Sequence, residues 1–141
     1  MAFEHPYIRI KNVAPEKMDE SQGWTVSEFR VVISEKEGAS STMYHATLGP
    51  GDRFQKRRND NCDEQYYVVS GHGLAGAGTD RVEVHPGHYH LIPKGVEHWL
   101  ANLSRNEPLV VIGLFDRAPN MGVAGRVHLG DITEDDLNAP R

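Results

Sequence analysis

Apolar residues recur at every second position along several short runs of this chain. In one run Phe29, Val31 and Ile33 share one side of an extended backbone, and Ile8 and Ile10 do so in an earlier run. Because successive side chains of a β-strand point to opposite faces, this period predicts half-buried strands. These two runs and further short β-rich runs predict strands over residues 7–13, 29–34, 41–48, 53–58, 64–69, 74–79, 81–85, 89–92, 98–103 and 109–115.

Glycine and proline separate these runs, at positions where the chain must reverse. The sequence contains 14 glycines and 8 prolines, and Gly49-Pro50-Gly51 is typical of a turn. About ten short strands joined by such turns predict an all-β, double-sheet jelly-roll barrel. A short helix is predicted near the end, where Thr133 can act as its N-cap and three acidic residues follow.

The composition narrows the class of protein. A chain of 141 residues is long enough for one domain with a real core, and it contains no recognisable repeat or linker. A net charge of −5 argues against nucleic acid as a partner, and no apolar stretch approaches the ~20 residues of a membrane helix. The single cysteine, Cys62, excludes an internal disulfide and a multi-cysteine metal site. We therefore expect a cytoplasmic protein that binds neither nucleic acid nor membrane.

Two groups of residues have a regular spacing. In the first, Gly51 is followed after five residues by Arg57, then by Asn59, after four more residues by Glu64, and after six more by Gly71. Residues two apart on a strand share a face, so Arg57 and Asn59 are predicted to point the same way.

The second group begins at Gly87 and continues, after five residues, with Pro-Lys-Gly at 93–95, then His98 and Asn102. Together the two groups resemble the signature motifs of the cupin family, G-x5-H-x-H-x(3,4)-E-x6-G and G-x5-P-x-G-x2-H-x3-N. The resemblance covers roughly residues 40 to 115. It implies a cupin-type double-stranded β-helix, with a barrel core at about 25–117, an N-terminal strand arm at 1–15 and a C-terminal extension at 118–141, in one domain spanning 1–141.

The resemblance also implies that positions 57, 59, 64 and 98 converge inside the barrel. The family's usual occupants there are three histidines and a glutamate, which bind a divalent metal such as iron, manganese, zinc or nickel. Here Arg57 and Asn59 replace two of the histidines. A guanidinium stays protonated and has no lone pair to give a metal. No conventional metal cofactor is therefore favoured.

The hypothesis that follows is a metal-free site for a small carboxylate or carbonyl substrate, in an enzyme of lyase or isomerase type. Arg57, Glu64 and His98 are its candidate catalytic residues, since they combine a cation, a carboxylate and an imidazole. Arg57 and Asn59 are candidate substrate-binding groups. Tyr66, which shares strand parity with Glu64, is a third.

Two alternatives stay open. One keeps a metal, bound by Glu64 and His98 with histidines recruited from His45, His88 or His90, and would allow dioxygenase or lyase chemistry; the sequence does not settle which of the three face inward. The other is a non-catalytic barrel that binds a small ligand. In every case the resemblance implies a homodimer, paired through the N-terminal strand at 7–13.

Overall fold

Eleven strands form two antiparallel sheets in the computed structural model, which describes residues 6–140. The strands are β1 (Trp24–Thr25), β2 (Glu28–Ile33), β3 (Thr42–Leu48), β4 (Arg53–Asn59), β5 (Glu64–Ser70), β6 (Gly73–Ala77), β7 (Asp80–Val84), β8 (Tyr89–Ile92), β9 (His98–Ala101), β10 (Leu109–Phe115) and β11 (Arg126–Gly130). Sheet one has the order β1-β4-β9-β6-β7, with β11 also paired to β4, and sheet two has the order β2-β3-β10-β5-β8. The predicted all-β, double-sheet jelly roll is confirmed.

Short helices complete the described chain. They are the α-helices α1 (Met121–Ala124) and α2 (Glu134–Asn138) and the 3-10 helices at Ile10–Asn12, Glu20–Gln22 and Glu35–Glu37. The predicted N-cap of α2 is confirmed, because the Thr133 hydroxyl accepts a hydrogen bond from the backbone N–H of Asp136 at 3.1 Å. Among residues 6–140, no helix is long and apolar enough to cross a membrane.

The predicted strand at 7–13 is wrong. Residues 7–9 have no regular structure and Ile10–Asn12 form a 3-10 turn. Alternation favours a strand only where a sheet edge is available to pair with it, and none of the described strands pairs with this segment. The part of the predicted N-terminal arm before residue 6 lies outside the described residues.

Two strands, β1 and β11, were not predicted from the sequence. β1 has only two residues, and β11 contains glycine and histidine rather than an alternating apolar pattern. Both pair with the same strand, β4. Strand β9 ends at Ala101, two residues earlier than predicted. Immediately after it the Asn102 amide donates to three backbone carbonyls, those of Leu48, Gly49 and Glu107.

A bulge in β4 decides which of its side chains enter the barrel. The register between β4 and β9 shifts between Phe54 and Arg57. Because of this bulge the side chains of Phe54 and Arg57 are both buried, although they are three positions apart. The guanidinium carbon of Arg57 lies 4.8 Å from the centroid of the Phe54 ring. From Arg57 onward the usual period of two resumes, and Asn59 is buried on the same face.

The C-terminal segment covers the outer face of sheet one. Leu74, Trp99 and Ala101 pack there with Ile132 and Leu137 in a second apolar cluster. This arrangement turns the neighbouring positions of β9, including His98, toward the interior.

Candidate functional site

Sheet one contributes a row of three register partners to the interior. Arg57 on β4 lies opposite His98 on β9, and His98 lies opposite Ala77 on β6. Directly opposed residues of an antiparallel sheet share a face. Arg57 and His98 are only 4% and 1% exposed.

Sheet two contributes a second row. Tyr44 on β3 lies opposite Gly113 on β10, which lies opposite Tyr66 on β5, which lies opposite His90 on β8. Tyr44 and Tyr66 are buried and His90 is half-buried.

Glu64 lies at the centre of the site and accepts hydrogen bonds from four side chains. Its Oε2 accepts from the Tyr44 hydroxyl at 2.5 Å and from Arg57 Nη2 at 3.2 Å. Its Oε1 accepts from Asn59 Nδ2 at 3.0 Å and lies 3.1 Å from His98 Nε2. The structure therefore brings together the four residues that the motifs predicted and adds Tyr44.

These neighbours decide the charge of Glu64. Burial by itself would raise the pKa of its carboxyl, because a charge is costly in a low-dielectric interior. The guanidinium of Arg57, with His98 and the Tyr44 hydroxyl, outweighs burial and holds the pKa of Glu64 well below its ordinary value. Glu64 is therefore an ionised and fully occupied acceptor.

His98 faces an acceptor at each ring nitrogen. Its Nδ1 lies 2.9 Å from the backbone carbonyl oxygen of Val96, and its Nε2 faces the Glu64 carboxylate. A carbonyl and an ionised carboxylate can only accept, so both contacts are hydrogen bonds when both nitrogens carry protons.

Gly113 makes room for Tyr44. A Cβ added at Gly113 would lie 2.1 Å from Cζ of the Tyr44 ring, which is far closer than atoms approach. The ring can reach Glu64 because the strand beneath it has no side chain at this point. Burial, followed by the negative charge of Glu64, raises the pKa of the Tyr44 hydroxyl, so this group stays protonated and donates.

Tyr66 and His90 extend the site toward an open cleft. The Tyr66 hydroxyl lies 2.8 Å from His90 Nδ1. His90 lines a cleft of about 460 Å³ at the edge of the sandwich, together with Ala77, the register partner of His98. Burial lowers the pKa of His90, and the positive charges of His98 and Arg57 lower it further. His90 is therefore a neutral base at neutral pH.

Two buried polar atoms of the cluster have no partner among residues 6–140. They are Nη1 of Arg57, a donor, and Oδ1 of Asn59, an acceptor. The orientation of the Asn59 amide follows from chemistry, because only its Nδ2 can donate to the Glu64 carboxylate. Buried polar atoms without partners are rare in native proteins and mark places where a ligand or water binds.

The residues at the family's metal position do not fit a metal ion. Arg57 places a positive charge 3.2 Å from the carboxylate that would bind the metal, and Glu64 is already occupied by four donors. No group of three or more His, Cys, Asp and Glu side chains within the described part of the chain could hold a metal ion.

The histidines considered as recruited ligands are not brought to Glu64 and His98. His45 alternates with the buried Tyr44 and Ala46 and points away from the interior. His88 is exposed and its Nδ1 accepts from the backbone N–H of His85. His90 faces inward but is hydrogen-bonded to Tyr66. Strand β3 and the register of β8 thus answer the question of parity that the sequence left open.

Two residues of this region, Tyr44 and Arg126, were not predicted from the sequence as site residues. Tyr44 follows the period of two in β3, yet nothing in the sequence connects it with Glu64. Arg126 lies on the unpredicted strand β11, opposite Asn59. The available signal was a period of two in which Arg126 and His128 share a face.

Comparisons with known proteins agree with the fold. The family model described as "Cupin domain" matches residues 44–115, about half of the chain. No curated protein sequence matches.

Solved structures of low identity share the architecture. A predicted oxalate decarboxylase from Thermotoga maritima is 19% identical over 77% of this chain and 96% of its own, with a TM-score of 0.69. The polyketide cyclase RemF from Streptomyces resistomycificus is 18% identical over 94% of this chain and 89% of its own, with a TM-score of 0.72. An uncharacterized double-stranded β-helix protein from Klebsiella pneumoniae is 17% identical over 91% of this chain and all of its own, with a TM-score of 0.67. With both motifs in register inside a double-stranded β-helix, this chain belongs to the cupin family.

Proposed function

We propose that this cupin is a small-molecule enzyme of lyase or isomerase type that binds a small carboxylate or carbonyl compound between its sheets. The observation that carries the proposal is the unpaired Nη1 of Arg57, a buried cationic donor inside the barrel. A guanidinium in such surroundings binds carboxylate or enolate oxygen strongly, since the interaction is charge-assisted and little screened.

The hydrogen bonds of Glu64 support a division of roles. Of the two roles that the sequence allowed, general base and partner of Arg57, the geometry favours the second. A carboxylate that already accepts from Tyr44, Arg57, Asn59 and His98 has little remaining basicity. Glu64 instead orients Arg57 and fixes the ring of His98 through its Oε1, so that the guanidinium directs positive charge at one region of the barrel.

His90 is suited to the proton transfer. It is neutral at neutral pH, it lines the open cleft, and Tyr66 fixes its ring. In the proposed reaction His90 takes a proton from the carbon beside the substrate's carbonyl group, and the electron pair moves onto the carbonyl oxygen. Arg57 stabilises the resulting enolate. In a substrate with a β,γ double bond, His90 then returns the proton to the γ-carbon while the double bond shifts to the α,β position, which is isomerisation. In a substrate with a leaving group on the β-carbon, the enolate expels that group, which takes the proton from His90, and this is elimination.

Deuterium exchange tests this proposal, because it detects removal of the proton beside the carbonyl group of a bound compound. It does so without requiring that the final product be known. The protein is incubated in D2O with a panel of small oxo- and hydroxycarboxylates, and NMR follows loss of the C–H signal beside the carbonyl group. We expect exchange or product with at least one compound, and a loss of about 100-fold or more in Arg57→Gln and His90→Gln. Arg58→Gln and His45→Gln, which change residues outside the cluster, serve as matched controls.

The proposal fails if Arg57→Gln retains the wild-type rate with the compound that reacts. Unfolding temperatures of all variants identify any loss that comes from unfolding.

A second candidate function is non-catalytic binding of a small ligand. The hydrogen bonds of Glu64 favour this second function. A former metal site in which an ion pair has replaced the metal would also have a carboxylate with all its acceptor positions occupied. It predicts that a carboxylate raises the unfolding temperature by mass action while neither exchange nor product appears.

The homodimer and the cytoplasmic location stay predictions. Tyr7 is 89% exposed in the single chain, which is consistent with an N-terminal contact to a second copy. Light scattering of the full chain beside a variant lacking residues 1–13 tests the dimer.

A further inference from the structure

Arg126 is a second guanidinium with buried donors that lack partners. Its Nε and Nη2 are buried and have no hydrogen bond within residues 6–140. These two N–H groups lie on one side of the guanidinium plane and together match both oxygens of a carboxylate. The group rests on the ring of Trp24, with its central carbon 4.3 Å from the ring centroid.

The register of β11 places Arg126 beside Arg57. Arg126 lies opposite Asn59, which is two residues from Arg57 on the same face of β4. Such diagonal neighbours have Cα atoms ~7–8 Å apart, within reach of long side chains. The two guanidinium groups also rest on neighbouring rings, because Trp24 and Phe54 lie 5.7 Å apart, centroid to centroid. Burial, followed by the charge of Arg57, lowers the pKa of Arg126 to about 10.

The buried acidic and basic groups around Arg126 are unequal in number. Glu64 supplies one negative charge against two guanidinium groups, those of Arg57 and Arg126. Glu16 and Asp19 line the cleft of about 380 Å³ at which Arg126 lies, yet neither pairs with it among the described residues. A buried cation without a partner is costly, and a bound anion would remove that cost.

We propose that the barrel binds a short dicarboxylate, with one carboxylate on Nη1 of Arg57 and the other on the Nε–Nη2 pair of Arg126. This rests on the proposed function, because Arg57 holds the reacting end. Asn59 lies opposite Arg126 and two residues from Arg57, and its acceptor Oδ1 is unpaired. That atom would repel an ionised oxygen of either carboxylate or phosphate but would accept from a hydroxyl group, so a dicarboxylate with a hydroxyl group between its ends fits best.

Calorimetric titration of the full-length protein tests the proposal with four probes: malate, succinate, butanoate and inorganic phosphate. We expect malate and succinate to bind at least about tenfold more tightly than butanoate, since the second carboxylate gains charge-assisted hydrogen bonds. In Arg126→Gln this advantage should disappear while the Kd for butanoate stays unchanged. Arg58→Gln, an exposed arginine on β4, should leave all affinities as in the wild type.

Arg126→Lys serves as a second variant in case Arg126→Gln does not fold. It keeps the positive charge but lacks the paired N–H groups of the guanidinium. Its succinate affinity should fall about threefold or more with butanoate binding unchanged.

The inference is overturned if succinate and malate bind no more tightly than butanoate, or if the Arg126 variants leave their affinity intact. Phosphate binding that is tighter than dicarboxylate binding and depends on Arg126 also overturns it. If butanoate and succinate bind equally and both are lost in Arg57→Gln, the proposed function survives and only this inference fails. If no carboxylate binds to the wild type, both fail.

Discussion

Arg57 Nη2 lies 3.2 Å from Glu64 Oε2 in an ion pair whose two side chains are 5% and 1% exposed. This pair occupies the place where the family's motif has metal ligands. Its position on facing sheets, β4 in sheet one and β5 in sheet two, means that it also connects the two halves of the sandwich. Several measurable consequences come from this arrangement.

Removing the negative member of the pair should strongly destabilise the fold. Glu64→Gln keeps the shape of the side chain but leaves Arg57 without a counter-charge. Loss of one partner of a buried pair costs about 3–5 kcal/mol of unfolding free energy, measured by urea denaturation.

The matched control for Glu64→Gln is Asp60→Asn. It breaks the exposed Arg58–Asp60 pair, whose closest atoms lie 2.7 Å apart, and should cost about 1 kcal/mol or less. A Glu64→Gln variant as stable as this control would contradict the assigned role of Glu64.

The pair should also make stability depend on pH in a defined direction. The pKa of Glu64 is lower in the folded protein than its ordinary value of 4.5. The ionised carboxyl therefore adds stability above that value, and this contribution is lost as the pH falls below it. The unfolding free energies of the wild type and of Glu64→Gln should therefore differ less near pH 3 than at pH 7. A larger difference near pH 3 would contradict a lowered pKa of Glu64 in the folded protein.

Adding a methyl group at Gly113 should disturb the site through Tyr44. In Gly113→Ala the new Cβ would overlap the Tyr44 ring, and overpacking of this kind costs about 1–3 kcal/mol. Because the ring must move away from Glu64, the fluorescence of Tyr44, measured against a Tyr44→Phe variant, should also change.

A double-mutant cycle identifies the cause of the Gly113 effect. If the clash with the ring is responsible, Gly113→Ala should cost clearly less in a Tyr44→Leu background than in the wild type. If the losses of unfolding free energy from Gly113→Ala and Tyr44→Leu are additive, the Gly113 effect does not come from a clash with the Tyr44 ring.

Asp136 should hold the C-terminal segment onto sheet one. Its carboxylate pairs with Lys56 Nζ at 2.8 Å and with Arg81 Nη2 at 3.2 Å. Burial opposes ionisation, but the hydrogen bond from Lys56 outweighs it and lowers the pKa of Asp136 to about 2. Asp136→Asn should cost about 1–2 kcal/mol and speed proteolytic cleavage after β11. The exposed neighbour Asp135→Asn is the control, and equal cleavage rates in the two variants would contradict this role.

The fold was largely predictable because its signal is local. The short runs of β-forming residues at 109–115 and 89–92 mark those strands to the residue, and in both cases every contributing residue is a near neighbour in sequence. The segment 7–13 shows the limit of this reasoning. Its alternation resembles that of a true strand, but pairing depends on an edge supplied by other parts of the fold.

The candidate site was predictable only in part. The motif spacing correctly indicated that Arg57, Asn59, Glu64 and His98 would meet, because the family's spacing reflects a fixed arrangement of strands. It could not show that Tyr44 would fill a remaining acceptor position of Glu64. That contact connects residues 20 positions apart, Tyr44 lies outside both motifs, and sequence periodicity carries no information about such a pairing.

The sequence by itself determined an all-β chain with turns at its glycines and a guanidinium at the position where the family has a metal ligand. Tertiary structure alone decided which of His45, His88 and His90 faces the interior and that Arg126 lies opposite Asn59. The physical reason is that alternation fixes only which residues of one strand share a face. Strand register and the bulge in β4 fix which residues of different strands meet, and these depend on packing across the whole sandwich.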